Sequence, residues 1–210
     1  MFDLQRFFAT SGQTLAYGIL AGLLVIAIHG WALAFMARAM GDRGPEHDGR
    51  LTLNPLAHID FIGALCVCLA QMGWIKPMQI DAARLRFGRA GIWLVVAGSL
   101  VILVFTAMLA WQLRPVLVRN FPGAMPAVVA VGMIEAFGKA SIFYALFNLI
   151  PLPPFAMGHW LAAWRPALYE RLKPYWLWLT IALGLIIATG ALRLAHPLVE
   201  ALQKILLVNW

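Results

Sequence analysis

The first residue with the chemistry of a site is His29, which lies in the apolar stretch Ile28–Asp42, reading IHGWALAFMARAMGD. Zinc hydrolases often carry H-E-x-x-H on a helix, where the two histidines bind the metal and the glutamate activates a bound water. Here Gly30 occupies the glutamate position and Leu33 the position of the second histidine. The pattern predicts one metal-type ligand whose catalytic base and partner ligand are missing.

A second candidate site is the segment Phe147–His159, which reads FNLIPLPPFAMGH. Pro151, Pro153 and Pro154 cannot continue a helix, because each lacks a backbone donor and clashes with the preceding turn. Helices that break inside a membrane do so where the backbone is buried in protein or lines a cavity. We therefore expect a site, or the remains of one, here, with Asn148 and the three prolines as candidates for binding a partner segment.

Glu135 and Lys139 stand four residues apart inside another apolar stretch. Charged residues within a membrane span are costly and are often functional. An ion pair between the two would neutralise that cost on one helix face. We interpret them as a structural pair, the alternative being that they line a polar groove for peptide entry or, in a small transporter, for flux.

The cysteines and serines give little sign of chemistry. Cys66 and Cys68 are two residues apart in an apolar run, so on a helix they point in different directions and are interpreted as small apolar fillers. Ser11, Ser99 and Ser141 show no histidine and acid at the spacing of a known triad. Spacing alone does not rule out a triad formed in space.

The composition predicts an integral membrane protein. Of 210 residues, 62% are hydrophobic and 12% charged, against roughly a quarter charged in soluble domains. Apolar stretches long enough to span a bilayer, or close to it, predict about five helices. They are Thr14–Met40, His58–Ile75, Ala90–Trp111, Pro126–Ile150 and Tyr175–Leu192.

The net charge of +7 is spread over the loops, and a small excess of Lys and Arg favours a cytoplasmic N-terminus. We attribute this charge to topology and lipid head groups, so the expected partner is the lipid bilayer and not a nucleic acid. Residues 1–13 are expected to form an interfacial lead-in, residues 14–195 the membrane domain, and residues 196–210 an amphipathic tail.

Two short extended pieces, Arg50–Leu53 and Gly73–Ile80, flank the second predicted span. Such pieces could pair, because backbone near a membrane must satisfy its hydrogen bonds within the protein. The predicted fold is therefore an all-α membrane bundle with a small β element near one membrane face.

Five sequence blocks, in this order, resemble the site-2 protease family of intramembrane zinc metalloproteases. The resemblance covers roughly residues 14 to 165. The blocks are the His29 helix closing at Gly41-Asp42, GRLTLNPLAHID at Gly49–Asp60, GWIKP at Gly73–Pro77, AGS at Ala97–Ser99, and NLIPLPP at Asn148–Pro154.

The departures from that family fall on its catalytic residues. The resemblance implies a glutamate at Gly30, a second histidine at Leu33 and, in the family's L-D-G-G-R continuation, an aspartate ligand at Ala156. The general base and two of three zinc ligands are therefore absent together. A catalytic zinc normally needs three protein ligands, so His29 alone would not hold the metal.

Two interpretations of His29 remain open besides a relict ligand. It could be a buried histidine that bonds to the backbone of the broken helix. It could also join a rebuilt metal site with His159 and His58, although His58 belongs to a structural block. Four bulky apolar residues lie at or beside the positions of the family's catalytic residues: Trp31, Leu33, Phe155 and Met157. They either pack as in any helix or fill the space that a metal ion and its bound water would occupy.

The resemblance and its departures together imply a catalytically inactive protein of a bacterial inner membrane, with several spans and no cofactor. Its expected role is that of a scaffold, an accessory subunit or a binder of another transmembrane segment. One alternative is an active zinc metalloprotease with a reassigned metal site, and the other is a small transporter.

Overall fold

The computed structural model describes residues 12–70, 73–188, 201–202 and 205. The described part is mostly helical, and no strand forms within it. Short 3-10 turns occur at Pro55–Ala57, Ala82–Arg84, Gly88–Ala90 and Lys173–Tyr175. The helices are α1 (Gly12–Ala39), α2 (Gly44–His47), α3 (Phe61–Ala70), α4 (Gly91–Trp111), α5 (Leu113–Asn120), α6 (Met125–Asn148), α7 (Gly158–Trp164), α8 (Pro166–Leu172) and α9 (Trp176–Ala188).

Three helical stretches of the described chain are long and apolar enough to cross a membrane: Gly12–Ala39, Gly88–Asn120 and Met125–Asn148. This supports a membrane protein, but it does not support the expected count of about five spans. At 10 residues, helix α3 would reach only about 15 Å, half the thickness of a hydrocarbon core. The span expected at Tyr175–Leu192 runs past residue 188 and so lies partly outside the described residues.

The expected β element is not supported either. The segment Arg50–Leu53 forms bends instead of a strand, because the turn at Asn54-Pro55 follows at once. The extended contact that does form is a single antiparallel bridge between Ile59 and Ile75, with the Lys76 amide donating to the His58 carbonyl at 2.7 Å. This bridge pairs backbone groups of two irregular segments without forming a longer strand.

Helix α1 lies at the centre of the bundle and packs against α3, α4 and α6. Its buried face is rich in small residues, which allow neighbouring helices to approach closely. Glycines on the neighbours have the same role. A Cβ at Gly98 would lie 2.4 Å from the end of Met36, and one at Gly132 would lie 2.4 Å from the ring of Tyr17.

Large apolar side chains face outward along the same helices. Leu24 on α1, Val101 and Phe105 on α4 and Val128 on α6 are all exposed in the isolated chain. An apolar outer surface of this kind suits contact with lipid chains.

Buried polar side chains hold the loops at the end of the bundle where α1 stops and α4 begins. The Asp42 carboxylate accepts hydrogen bonds from the backbone amides of Gly44, at 2.9 Å, and Asp81, at 2.8 Å. The Arg50 guanidinium donates to two backbone carbonyls, one of them that of Pro77 at 3.2 Å. These contacts join loop segments that are far apart in the chain, so the loops form one connected layer.

Candidate functional site

His29 is completely buried in the middle of α1, between α4 and α6. Its Nδ1 lies 2.8 Å from the Tyr144 hydroxyl, and its Nε2 lies 3.4 Å from Ser99 Oγ. The Ser99 hydroxyl donates to the Val96 carbonyl at 2.7 Å, which leaves its oxygen to accept from His29. This arrangement fits a neutral imidazole that carries its proton on Nε2 and accepts at Nδ1 from Tyr144.

The partners of His29 are therefore side chains of α4 and α6, and not the backbone of the broken helix. The imidazole and the Tyr144 ring also meet edge to face, with centroids 5.1 Å apart. Both ring nitrogens of His29 are occupied by these neighbours.

Gly30 packs directly against the ring of His58. A Cβ built at Gly30 would lie 2.3 Å from both Cγ and Nδ1 of His58, closer than real Cβ atoms come to other atoms. His58 is fully buried. Its ring therefore fills the space into which a larger side chain at position 30 would extend.

The His58 ring is held from one side only. Its Nε2 lies 2.8 Å from the Thr52 carbonyl, so Nε2 carries the proton and donates. Its Nδ1 has no hydrogen-bond partner within the described chain. Burial lowers the pKa of His58, the Arg50 guanidinium lowers it further, and the bond to Thr52 raises it, so the ring is neutral near pH 7.

Leu33 and Ala156, at the other two ligand positions, are buried in the main apolar core. Met157 belongs to the same cluster, whereas Phe155 packs in a second one with Trp74. The side chains of Leu33 and Ala156 contain no atom that can bind a metal. Within the described residues, no group of three or more His, Cys, Asp or Glu side chains is placed to hold a metal ion.

Helix α6 ends at Asn148 and α7 begins at Gly158, so the helix breaks where the prolines predict. The Asn148 side chain organises the break. Its Nδ2 donates to the carbonyls of Gly73, at 3.1 Å, and Tyr144, at 3.0 Å, and its Oδ1 accepts from the Ala156 amide at 3.0 Å. Asn148 is thus buried, and its three hydrogen bonds hold the two sides of the break together.

The three prolines differ in exposure. Pro153 is buried, Pro154 is half-buried and joined to it by a cis peptide bond, and Pro151 is exposed. Of the candidate binding residues in this segment, Pro151 presents the most surface.

His159 lies in the first turn of α7, three residues after Ala156, and is half-buried. Desolvation by the surrounding protein lowers its pKa to about 4, so it is neutral near pH 7. No described carboxylate or thiol completes a metal-binding group around it.

Glu135 does not pair with Lys139. Its carboxylate lies 2.5 Å from the Arg114 guanidinium of α5, which also stacks over the Trp111 ring at 4.3 Å from the centroid. Lys139 is exposed and forms no ion pair with any described residue. The expected i, i+4 pair is thus replaced by a contact between α5 and α6, because the turn that joins them brings Arg114 within reach.

Sequence reasoning missed Tyr144 as a partner of His29. A tyrosine in an apolar helix resembles an ordinary core residue, although its position four residues before Asn148 places both on one helix face. Ser99 is a candidate nucleophile and part of the Ala97–Ser99 block in the sequence, and neither feature indicates that it lies beside His29.

The chain is similar to a Bacillus subtilis (strain 168) protein named "Putative zinc metalloprotease YwhC". The two are 29% identical over 155 residues, which is 72% of this chain and 70% of that protein. No family model matches the chain, and no solved structure matches it.

Proposed function

We propose that this chain is a site-2 protease-like membrane protein without zinc and without proteolytic activity. The similarity to the protein named "Putative zinc metalloprotease YwhC" supports the likeness to a protease, and the residues around His29 support the loss of activity. In this proposal it has several spans, lies in a bacterial inner membrane, and acts as a scaffold, accessory subunit or binder of another transmembrane segment.

The contact between Gly30 and His58 carries the proposal. A glutamate that activates water would have to extend from position 30, where even a Cβ would overlap the His58 ring. Since that ring is buried and donates to the Thr52 carbonyl, moving it would break a buried hydrogen bond. The site therefore has no space for the missing base.

The other positions support the same conclusion. A zinc ion needs about three protein ligands at 2.0–2.3 Å. Leu33 and Ala156 offer none, and both nitrogens of His29 are already in contact with Tyr144 and Ser99. These residues do not fit a zinc ion.

The apolar surface around α3 supports a helical partner. Phe61 at the start of α3 is 80% exposed, and Leu56 in the preceding turn is 76% exposed. At 10 residues, helix α3 is too short to cross a membrane by itself, so this apolar surface is not that of a complete membrane-spanning helix. A transmembrane segment of another protein would cover it.

Metal content and proteolysis test the loss of activity. The full chain, purified without chelator, is analysed for transition metal per chain and for cleavage of a model transmembrane substrate. We expect a ratio near zero and no cleavage, unchanged in His29→Ala and in the matched control His47→Ala, which alters an exposed histidine. A ratio near one that falls in His29→Ala but not in His47→Ala would overturn the proposal.

An active metalloprotease with a reassigned metal site is the second candidate, favoured by the similarity to the Bacillus subtilis protein of that name. It would use His29 and His159. In that case, either His29→Ala or His159→Ala should abolish both metal binding and cleavage, whereas our proposal predicts no change in either.

A photo-crosslinking residue at Phe61 tests the role separately. We expect it to give one discrete protein adduct in native membranes, whereas the same group at the exposed Val128 of α6 should give lipid adducts. Lipid adducts at both positions would remove the partner from the proposal and leave the inactive site standing.

A further inference from the structure

Three tryptophans form a row at the end of the bundle that carries the loops. Trp93 lies in the first turn of α4, and Trp160 and Trp164 lie on α7. Ring centroids are 5.9 Å apart between Trp93 and Trp160 and 6.5 Å apart between Trp160 and Trp164. Trp93 is 48% exposed and Trp164 is 47% exposed. Tryptophan is enriched at the membrane–water interface, so a row of this kind suits the depth of the lipid head groups.

An arginine lies at each end of the tryptophan row. Arg89 belongs to the turn Gly88–Ala90 that leads into α4, and this turn packs against α7. Arg165 directly follows Trp164. Both arginines are exposed, and neither forms an ion pair with any residue in the described part of the chain.

Some other cations at this end of the bundle have carboxylate partners, whereas Arg43 and Arg86 form no ion pair with any described residue. Arg84 lies 3.2 Å from Asp81, and Lys173 lies 3.5 Å from Glu170. The row therefore keeps two uncompensated positive charges beside an aromatic surface.

We propose that Trp93, Trp160 and Trp164, together with Arg89 and Arg165, bind the head group of an anionic phospholipid. Guanidinium groups bind phosphate through two parallel hydrogen bonds, and the indole rings pack beside the glycerol and upper acyl chain. A zwitterionic lipid brings its own ammonium group and gains less from the two arginines. This inference does not depend on the loss of zinc.

The preference can be measured by titrating the full chain in mild detergent with phosphatidylglycerol or phosphatidylcholine of equal chain length. Native mass spectrometry then counts bound lipid per chain. We expect phosphatidylglycerol to bind on the order of tenfold more tightly, since each arginine near a membrane surface adds several-fold in affinity for anionic lipid.

The double variant Arg89→Gln/Arg165→Gln should lose this preference. The matched control Arg43→Gln/Arg119→Gln removes the same charge from two other exposed arginines and should keep it. The variant Trp93→Leu/Trp164→Leu should weaken the binding of both lipids. It keeps the arginines, so it separates the aromatic contribution from the charge.

Three results would overturn the inference. The two lipids could bind equally, or the control double variant could lose the preference as fully as the test variant, which would make net charge the cause. Alternatively, inorganic phosphate could displace phosphatidylglycerol at millimolar concentration, which would indicate a site for free anions.

Discussion

Two buried polar regions of this molecule differ in what their side chains bind. At the loop end, Asp42, Arg50 and Asn148 each bond to two or more backbone groups. We call these three residues the backbone tethers. In the histidine region, His29 bonds to the side chains of two other helices, and His58 keeps one nitrogen without a described partner.

The difference separates polar side chains that the fold requires from polar side chains that bond to at most one backbone group. Irregular backbone that is buried must find hydrogen-bond partners, so side chains that supply them are needed whatever the protein does. An imidazole with an unpartnered nitrogen costs free energy and stabilises little in return. The tethers should therefore carry more of the stability than the histidines.

The largest expected effect is that of Asn148→Ala. It removes three hydrogen bonds and leaves buried carbonyls and an amide without partners, which should destabilise the protein by about 4 kcal/mol. Unfolding by denaturant in detergent measures this loss. Asn120→Ala is the matched control, because the exposed Asn120 makes one bond to its own helix and should cost about 0.5 kcal/mol. Equal losses of stability in Asn148→Ala and Asn120→Ala would show that a backbone tether contributes no more than an exposed asparagine.

Gly30→Ala comes next. The added methyl group overlaps the His58 ring, so we expect a loss of about 2 kcal/mol, in the range of an overpacked core. The change Gly12→Ala, where nothing lies within 4 Å, should be neutral or stabilising.

A double-mutant cycle identifies the cause. If the His58 ring is the obstacle, Gly30→Ala should cost much less in a His58→Ala background. A cost that stays the same in both backgrounds would place the obstacle elsewhere and would weaken the argument against a glutamate at this position.

Tyr144→Phe should cost about 1.5 kcal/mol, because it removes the donor to His29 and leaves a buried nitrogen unsatisfied. Tyr17→Phe removes a hydroxyl that bonds to the exposed Gln13, and its loss should be close to zero. If Tyr144→Phe and Tyr17→Phe were equally stable, the His29–Tyr144 bond would contribute nothing measurable to the free energy of unfolding. The difference in stability between the backbone tethers and the histidine region would then be larger than expected.

A separate prediction concerns the pH dependence of stability. Unfolded His159 takes up a proton near pH 6.5, whereas its folded pKa is about 4. Between these values the unfolded chain binds more protons, so stability is present above pH 6.5 and falls as the pH falls towards 4. Buried His58, whose pKa is also lowered, adds to this loss.

The variant His159→Asn should flatten the slope between pH 6.5 and 4 in thermal unfolding curves. The exposed His47→Asn should leave it as it is. A slope that survives in His159→Asn would assign the loss to other groups.

Several features could be predicted from local sequence, because their causes are local. The apolar stretches at Thr14–Met40, Ala90–Trp111 and Pro126–Ile150 match the three long helices to within a few residues, and the prolines predict the end of α6. Length and missing backbone donors are properties of short segments, and these can be seen without knowing the fold.

Other features depend on what meets in space. The contact between Glu135 and Arg114 forms across the turn between α5 and α6, so helix spacing alone favoured Lys139. The fit of the His58 ring over Gly30 joins two separate sequence blocks, and neither block contains a sign of it. The span expected at His58–Ile75 starts as a helix only at Phe61, because Asp60 caps α3 by accepting from the Gly63 amide at 2.9 Å, and hydropathy does not show such a cap.

The hydrogen bond between His29 and Tyr144 joins residues that are 115 positions apart in the sequence. This separation along the chain has a consequence for how the protein enters the membrane during synthesis. At typical synthesis rates, Tyr144 leaves the ribosome on the order of ten seconds after His29. If α1 enters the bilayer as it is made, its imidazole meets lipid or the insertion machinery before either partner exists. We therefore expect α1 to be retained beside the translocation channel until α4 and α6 arrive, so that the three helices are released into the membrane together.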